Sequence, residues 1–235
     1  MAITVAQSTT IALGANMSQT ITLNGVASGN ALIFLGSVVD TAGSLTAASG
    51  WTVTDGTAYT HDAESPVSGG ASATIIASRL NVNSGSHTVT FTVTGGLAAN
   101  KKGGLSFLEI SGLLTSGAFD KSSTNSGNST TPTTGSTAAL AQSNEIIVCA
   151  LATFGSLTGG SSHFPPIGGP GVFTALYNGT GSDHDYQIQT SGTTAVSADW
   201  GTVDASGKWS AAVATYKGST SGGFLLSQLS NQGGF

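Results

Sequence analysis

Paired acidic residues are the first feature of this sequence that suggests chemistry. A glycosidase uses one carboxyl group as an acid and a second as a base or nucleophile, so it needs two acids close together. Three close pairs occur, namely Asp62 with Glu64, Asp183 with Asp185, and Asp199 with Asp204. Retaining glycosidases of sandwich fold often place two acids at positions i and i+4 of one strand, and no predicted strand here has that spacing. Glycoside hydrolysis is therefore only a second alternative, and we expect no catalytic residues and no enzyme activity.

The segment Ser182-Asp183-His184-Asp185 is the best candidate for a metal site. Alternating acids on a loop could offer carboxylate oxygens to Ca²⁺, although the twelve-residue calcium-loop pattern is absent. A hairpin whose Asp side chains cap backbone amides also accounts for this segment, and we favour it. Cys149 is the single cysteine, so no cysteine-based zinc spacing exists. We therefore expect neither a metal nor another cofactor.

Composition excludes several classes of protein. Of the 235 residues only 7% are charged, against roughly 25% in an ordinary soluble domain, and 34 are glycine. Six Lys and Arg stand against eleven Asp and Glu, so the clustered cations that hold nucleic acid are missing. A single cysteine excludes a disulfide scaffold, and no apolar run reaches the roughly 18 residues of a membrane span. We expect neither nucleic acid nor a membrane as a partner.

Alternation of apolar and hydroxyl residues predicts β-strands. In HTVTFTVT (87–94) the apolar residues would face a core, and the threonines would face water or a neighbouring subunit. Residues 18–23 alternate in the same way. The runs 31–35 and 146–151 are continuously apolar, which is typical of central strands. Further strands are predicted at 51–54, 73–80, 105–110, 172–177, 185–189 and 209–216.

The chain contains an internal repeat. NALIF (30–34) resembles NEIIV (144–148), and NSG (83–85) between two strands resembles TSG (190–192) between two later strands. Two halves with one order of motifs suit a double Greek-key sandwich, and two small domains are the alternative. We predict an all-β fold, namely a two-sheet antiparallel jelly-roll-like β-sandwich with a short flexible C-terminal tail.

Changes in composition divide the chain into three parts. Residues 1–14 are predicted to form an N-terminal arm or edge strand, 15–218 the sandwich domain, and 219–235 a C-terminal segment. The connection 115–137 is rich in Ser, Thr, Gly and Asn, and we interpret it as a linker or a long surface loop. Residues 2–12 are a candidate docking arm.

The C-terminal segment begins with a Gly/Ser tether (219–223) that leads to an apolar peptide. We predict that this peptide docks on another subunit, and the alternative is a last strand or turn that packs on its own domain. The expected docking residues are Phe224, Leu225, Leu226, Leu229 and Phe235.

Motifs along most of the chain resemble those of a known group of proteins. In chain order they are NALI (30–33), SGSHTVT (84–90), LEISGL (108–113) leading to AFD (118–120), NEII (144–147) and ATYK (214–217). Over about residues 15–218 this order resembles the concanavalin-like or jelly-roll β-sandwich modules of bacteriophage virion proteins and bacterial surface proteins. The resemblance implies a decoration, fibre or adhesion module.

The first residues favour the phage version of this resemblance. MAITV (1–5) lacks the basic and apolar regions of a secretory signal peptide. We therefore expect a virion protein that is made in the host cytoplasm without a signal peptide.

Exposed aromatic side chains would indicate a glycan-binding module. Trp200 precedes Gly201 and is the aromatic residue that we expect to be exposed, and Tyr186 and Trp51 complete the set of candidate glycan contacts. Trp209 lies within a predicted strand and is expected in the core.

The sequence thus predicts a non-enzymatic bacteriophage virion structural protein, namely a capsid decoration, a head fibre or a tail appendage. Its partners would be other virion proteins of the capsid or tail and further copies of itself, as a homo-oligomer or on a lattice. A surface with few charges and many hydroxyls can pack against a partner without desolvating ions. The alternative function is a glycan-binding or adhesion module, with a host surface glycan as its partner.

Overall fold

A computed structural model describes residues 1–14, 18–40, 42–43, 45, 50–93, 101–154, 171–203 and 207–219. This part of the chain is all-β with antiparallel strand pairing, as the sequence predicts. Its thirteen strands are β1 (Thr4–Ala12), β2 (Ser18–Val26), β3 (Ala31–Asp40), β4 (Thr52–Thr54), β5 (Thr60–Glu64), β6 (Ser72–Arg79), β7 (Gly85–Thr92), β8 (Lys101–Ser111), β9 (Phe119–Gly127), β10 (Glu145–Thr153), β11 (Thr174–Gly179), β12 (Ser182–Gln189) and β13 (Trp209–Lys217).

The described strands form three sheets, where the sequence led us to expect two. The N-terminal inner sheet has the order β1-β8-β3-β6-β5, the C-terminal inner sheet has the order β11-β12-β10-β13-β9, and the small outer sheet has the order β2-β7-β4. Alternation along a strand indicates which side chains are buried, but it does not indicate which sheet covers them. For this reason the sequence supports a sandwich without fixing the number of its layers.

The inner sheets are covered on both faces. Leu32 and Phe34 of β3 pack against the small outer sheet, whereas Ile33 and Leu35 pack against the C-terminal inner sheet. All ten residues of β3 and all nine of β10 are buried as a result. A strand that is buried on both faces reads as a continuous apolar run, which explains why these two strands were recognisable in the sequence.

The two halves of the chain share one strand order. Counted from β1, the N-terminal inner sheet runs β1-β8-β3-β6-β5, and counted from β9, the C-terminal inner sheet runs β9-β13-β10-β12-β11. In chain order β1, β3, β5, β6 and β8 therefore correspond to β9, β10, β11, β12 and β13. The repeat seen in NALIF and NEIIV is thus a repeat of topology.

Two segments take the place in the second half that β2 and β7 have in the first. Residues 130–140 and 193–203 run antiparallel, and the backbone N–H of Thr134 donates to the carbonyl oxygen of Ala198 at 3.0 Å. We call this pair of segments the outer ladder. It closes a hydrophobic cluster over the outer face of β10, so the molecule has four layers and three core clusters among its described residues.

The two inner sheets pack face to face as if related by a two-fold axis. β1 lies against β11 and β5 lies against β9, and two tyrosines of the C-terminal inner sheet cross the contact. The hydroxyl of Tyr216 (β13) donates to Asp62 (β5) at 2.7 Å, and that of Tyr177 (β11) donates to the carbonyl oxygen of Gly103 (β8) at 3.0 Å. A Cβ at Gly104 would lie 2.2 Å from the Tyr177 ring, so this close approach requires glycine.

Three expectations for the connecting segments have different outcomes. Residues 4–12 pair with β8 as an edge strand, which is one of the two forms expected for 1–14, and docking of residues 2–12 on another subunit stays a prediction. β9 lies within 115–137, where we expected a linker or loop, because a hydroxyl-rich edge strand lacks apolar alternation. The five expected docking residues at 224–235 lie outside the described residues.

A matched pair of valines tests the contact between the inner sheets. Val148 is fully buried in that contact, whereas Val172 is 84% exposed. We expect Val148→Ala to lower the free energy of unfolding by about 2–3 kcal/mol, since two methylene equivalents are lost and a cavity remains. Val172→Ala should change it by less than about 0.5 kcal/mol. Urea unfolding followed by tryptophan fluorescence measures both, and equal effects would contradict the layered core.

Candidate functional site

Two acidic side chains lie side by side on one face of β12. Asp183 and Asp185 are two residues apart in the strand, so both point toward the outer ladder, and both are fully buried. The indole N–H of Trp200 in the outer ladder donates to Oδ2 of Asp183 at 3.1 Å. The turn before β12 contains Gly181, whose φ of 76° suits glycine.

Burial governs the ionisation of this acid pair. Burial raises the pKa of both carboxyl groups, and the neighbouring charge of Asp183 raises that of Asp185 further. Cys149 is the cross-strand partner of Asp185, and burial raises the pKa of its thiol as well. Two ionised carboxylates at this distance would repel each other strongly away from water. The pair is therefore stable beneath the outer ladder only while it holds a proton.

The hairpin expected for this segment is present, since β11 and β12 pair antiparallel, but the two Asp side chains do not lie in its turn. The turn ends before Ser182, and both acids lie within β12. Asp183, Asp185, Gln187 and Gln189 alternate with less polar residues, so the strand that the sequence predicts at 185–189 begins three residues earlier, at Ser182. Among the described residues, no group of three or more His, Cys, Asp and Glu side chains is arranged to hold a metal ion.

His184 points the other way, into the contact between the two inner sheets. Its Nε2 lies 2.8 Å from the hydroxyl of Ser37 and its Nδ1 lies 2.8 Å from that of Ser106. Burial lowers the pKa of His184 to about 3, so the ring is neutral at physiological pH. A neutral ring has one donor and one acceptor nitrogen, and the two hydroxyls can satisfy both. His184 therefore links the two halves of the chain.

A second polar cluster joins the small outer sheet to the N-terminal inner sheet. Asp55 accepts hydrogen bonds from Arg79 at 2.5 Å and from Nδ1 of His87 at 2.7 Å. Nε2 of His87 faces the carbonyl oxygen of Asn83 at 3.0 Å, so no serine hydroxyl completes a catalytic triad there. Burial acts to raise the pKa of Asp55, but His87 and Arg79 outweigh it and hold the pKa below its ordinary value. The cluster of Asp55, Arg79 and His87, which we call the Asp55 clamp, therefore holds the two sheets together.

A third cluster, which we call the Asp120 cluster, spans β9, β13 and β10. It comprises Asp120, Lys121, Glu145 and Lys217. The carboxyl group of Asp120 is 4% exposed and accepts a hydrogen bond from the backbone N–H of Ala141 at 2.7 Å. Burial raises the pKa of Glu145, and the adjacent charge of Asp120 adds to the effect. No local sequence pattern indicated this cluster, because its members come from three separate strands.

The three candidate glycan contacts do not lie together. Trp51, Tyr186 and Trp200 belong to three different core clusters. Trp51 and Trp200 are each 2% exposed, so the expectation that Trp200 is exposed is wrong. Trp200 is buried because its indole reaches the acid pair, a contact that the sequence could not reveal. Trp209 is buried as expected.

The outer face of the small outer sheet is a regular polar surface. β2, β7 and β4 point alternate side chains inward to a core cluster and outward to solvent. The outward residues, which we call the hydroxyl face, are Ser18, Thr20, Thr22, Asn24, Thr52, Thr54, Ser86, Thr88, Thr90 and Thr92. Hydrogen bonds link Ser18 with Thr92 at 3.1 Å and Thr22 with Thr88 at 2.9 Å. None of the ten side chains is charged.

A pocket of about 480 Å³ lies where the start of the chain meets the end of the described residues. The Met1 amino group donates to the carbonyl oxygen of Ser219 at 3.1 Å, and the remaining wall is formed largely by residues 142–144. The lining contains no acidic side chain, so it does not hold the pair of carboxyl groups that glycoside hydrolysis requires.

Comparison with known protein families, with curated proteins and with solved structures finds no match to the chain. No helix in the described residues is long and apolar enough to cross a membrane.

The buried acid pair predicts a specific dependence on pH. Because the pKa values of Asp183 and Asp185 are raised in the folded state, the unfolded state binds fewer protons above about pH 4, and stability should fall as the pH rises from there. Asp185→Asn removes one titrating group, so the stability of this variant should decrease less as the pH rises. Asp199→Asn, on a half-buried residue of the outer ladder, is the control and should keep the wild-type slope. The urea midpoint of each protein should be measured from pH 5 to 9. If the midpoint changed with pH equally in all three proteins, the raised pKa values of the acid pair would be contradicted.

The Asp55 clamp predicts the opposite dependence in acid. The pKa of Asp55 is lowered on folding, so its stabilisation is present above the unfolded pKa of about 4 and is lost as the pH falls through the folded value. Asp55→Asn should lower the free energy of unfolding at pH 7 by about 2–3 kcal/mol, because two charge-assisted hydrogen bonds are weakened. The difference from wild type should shrink toward pH 3. A constant difference across this range would show that the charge of Asp55 is not what matters.

Proposed function

We propose that this protein is a non-enzymatic structural component of a bacteriophage virion that acts through multivalent protein contacts. It would serve as a capsid decoration, a head fibre or a tail appendage, beside other virion proteins and copies of itself. The observation that carries the proposal is the uncharged hydroxyl face of the small outer sheet. A partner can cover such a face without removing water from ions, and threonine supplies both a methyl group and a hydroxyl group to the contact.

The use of the charged residues supports a structural role. The acid pair, the Asp55 clamp and the Asp120 cluster all make contacts inside the protein, and His184 lies buried between the inner sheets. A catalytic site needs ionisable groups that reach a substrate in a cleft. The clusters described above instead hold strands and layers together. The resemblance of the motifs over 15–218 to virion modules favours the same role.

The size of the hydroxyl face favours many weak contacts over one strong contact. Six paired residues along β2 give a length of about 20 Å, and three strands give a patch of roughly 200–300 Å². A stable interface between two proteins buries about 800 Å² on each partner. One such patch would therefore bind weakly, whereas repeated copies on a symmetric particle would gain avidity.

Two matched threonine substitutions test the role of the hydroxyl face. Thr88 lies exposed on the hydroxyl face, and Thr115 lies exposed in the turn between β8 and β9. We expect Thr88→Lys to reduce incorporation of the protein into purified particles at least tenfold, because a charge would have to be desolvated at every contact. Thr115→Lys should leave incorporation unchanged. Quantitative immunoblotting of particles gives the ratio, after circular dichroism has verified that both variants fold.

Two outcomes would contradict the proposal. Equal incorporation of both variants would remove the hydroxyl face from the contact. Absence of the wild-type protein from purified particles of its source, judged by immunogold electron microscopy with antibody against residues 1–218, would remove the virion role itself.

A further inference from the structure

The Asp120 cluster brings an amine, a carboxyl group and a buried acid together on three adjacent strands. Lys217 of β13 lies directly opposite Glu145 of β10, and Nζ of Lys217 is 3.9 Å from Oδ1 of Asp120 on β9. Asp120 is 4% exposed at its side chain and Glu145 is fully buried. Phe119 and Tyr216, which precede Asp120 and Lys217, stack edge to face on the opposite side of the sheet and hold the two strands in place.

Glu145 lies close enough to Asp120 to interact with it directly. Oε1 of Glu145 accepts a hydrogen bond from the backbone N–H of Gln142 at 3.3 Å, and the carboxyl group also interacts with the side chains of Thr215 and Asp120. No donor among the described residues lies in ordinary hydrogen-bond geometry to the buried Oε2. A new N–H group between Asp120 and Lys217 would lie beside Glu145 and could donate to Oε2.

We propose that Lys217 and Asp120 form an intramolecular isopeptide bond, with Glu145 as the proton carrier. The ammonium group of Lys217 first gives a proton to the Asp120 carboxylate. Nζ then attacks Cγ of Asp120, and the backbone N–H of Ala141, already bound to Oδ2, stabilises the charge that develops on that oxygen. Protonated Glu145 delivers a proton to Oδ1, which leaves as water, and Glu145 recovers a proton from the nitrogen.

The reaction is balanced without any further reactant. One ammonium and one carboxylate give one secondary amide and one water molecule, and Glu145 ends as it began. No oxidant, nucleotide or metal is consumed. The strands supply the close approach that makes such a step effectively unimolecular.

Lys121 is the closer amine but the less suitable one. Its Nζ lies 3.2 Å from Oδ1 of Asp120, yet it is the next residue of the same strand and its side chain leaves from the opposite face. A bond to Lys121 would join no separate elements. Lys217 ends β13, and the chain continues from there to the C-terminal segment. A bond from Lys217 to β9 would therefore keep the end of β13 attached to the domain when force is applied to that segment.

Mass spectrometry of the full-length protein tests the bond directly. Under denaturing conditions we expect the intact mass to be lower than the sequence mass by one water molecule, after allowance for loss of Met1. Trypsin should then release a branched peptide in which 103–121 is joined to 209–235, because cleavage after Lys217 is blocked. Lys217→Arg should restore the full mass, and Glu145→Gln should slow bond formation at least tenfold. Lys208→Arg, at a lysine bound to the carbonyl oxygen of Gly69, is the matched control and should keep the deficit.

Three results would each overturn the proposal. The first is a wild-type intact mass equal to the sequence mass, which needs no variant to fold. The second is a deficit that persists in Lys217→Arg. The third is a deficit carried by the linear peptide 103–121, which would indicate a succinimide at Asp120. None of these results depends on whether the protein belongs to a virion, so the isopeptide bond and the proposed function fail separately.

Discussion

The face-to-face contact of the two inner sheets is the constraint on which the rest of the structure depends. Each inner sheet has two apolar faces, and one of them is buried against the other inner sheet. The remaining faces must also be covered, and the small outer sheet and the outer ladder do this. The four layers are thus the consequence of two sheets that cannot leave either face in water.

The internal repeat explains how one chain satisfies this constraint. Two halves with the same strand order present the same kind of apolar face, and an approximate two-fold relation brings these faces together. In this arrangement two tyrosines of the C-terminal half bond to the N-terminal half at equivalent pairs of strands, Tyr216 from β13 to β5 and Tyr177 from β11 to β8. A contact between like surfaces is the mode by which symmetric dimers form, and here it occurs inside one polypeptide.

The scarcity of charge follows from the layered arrangement. Much of the chain is buried between sheets, and a buried charge is tolerated only when it is paired or neutralised. Asp55 is paired with Arg79 and His87, whereas burial raises the pKa values of Asp183, Asp185 and Glu145 and so favours their uncharged forms. The outward residues of the small outer sheet carry hydroxyl groups, which leaves a surface suited to contacts with proteins.

The sequence alone determined the fold class, most strand positions and the repeat, because local alternation and continuous apolar runs report how a strand is buried. It did not determine the number of sheets, because burial does not reveal the identity of the covering layer. It placed Trp200 at the surface and Asp183 in a turn, since their mutual contact joins residues 17 apart in the chain, beyond the reach of local patterns. The Asp120 cluster could not be predicted from the sequence either, because only the pairing of β9, β13 and β10 brings Asp120, Glu145 and Lys217 together. Such long-range neighbours are decided by packing, which no local pattern in the sequence encodes.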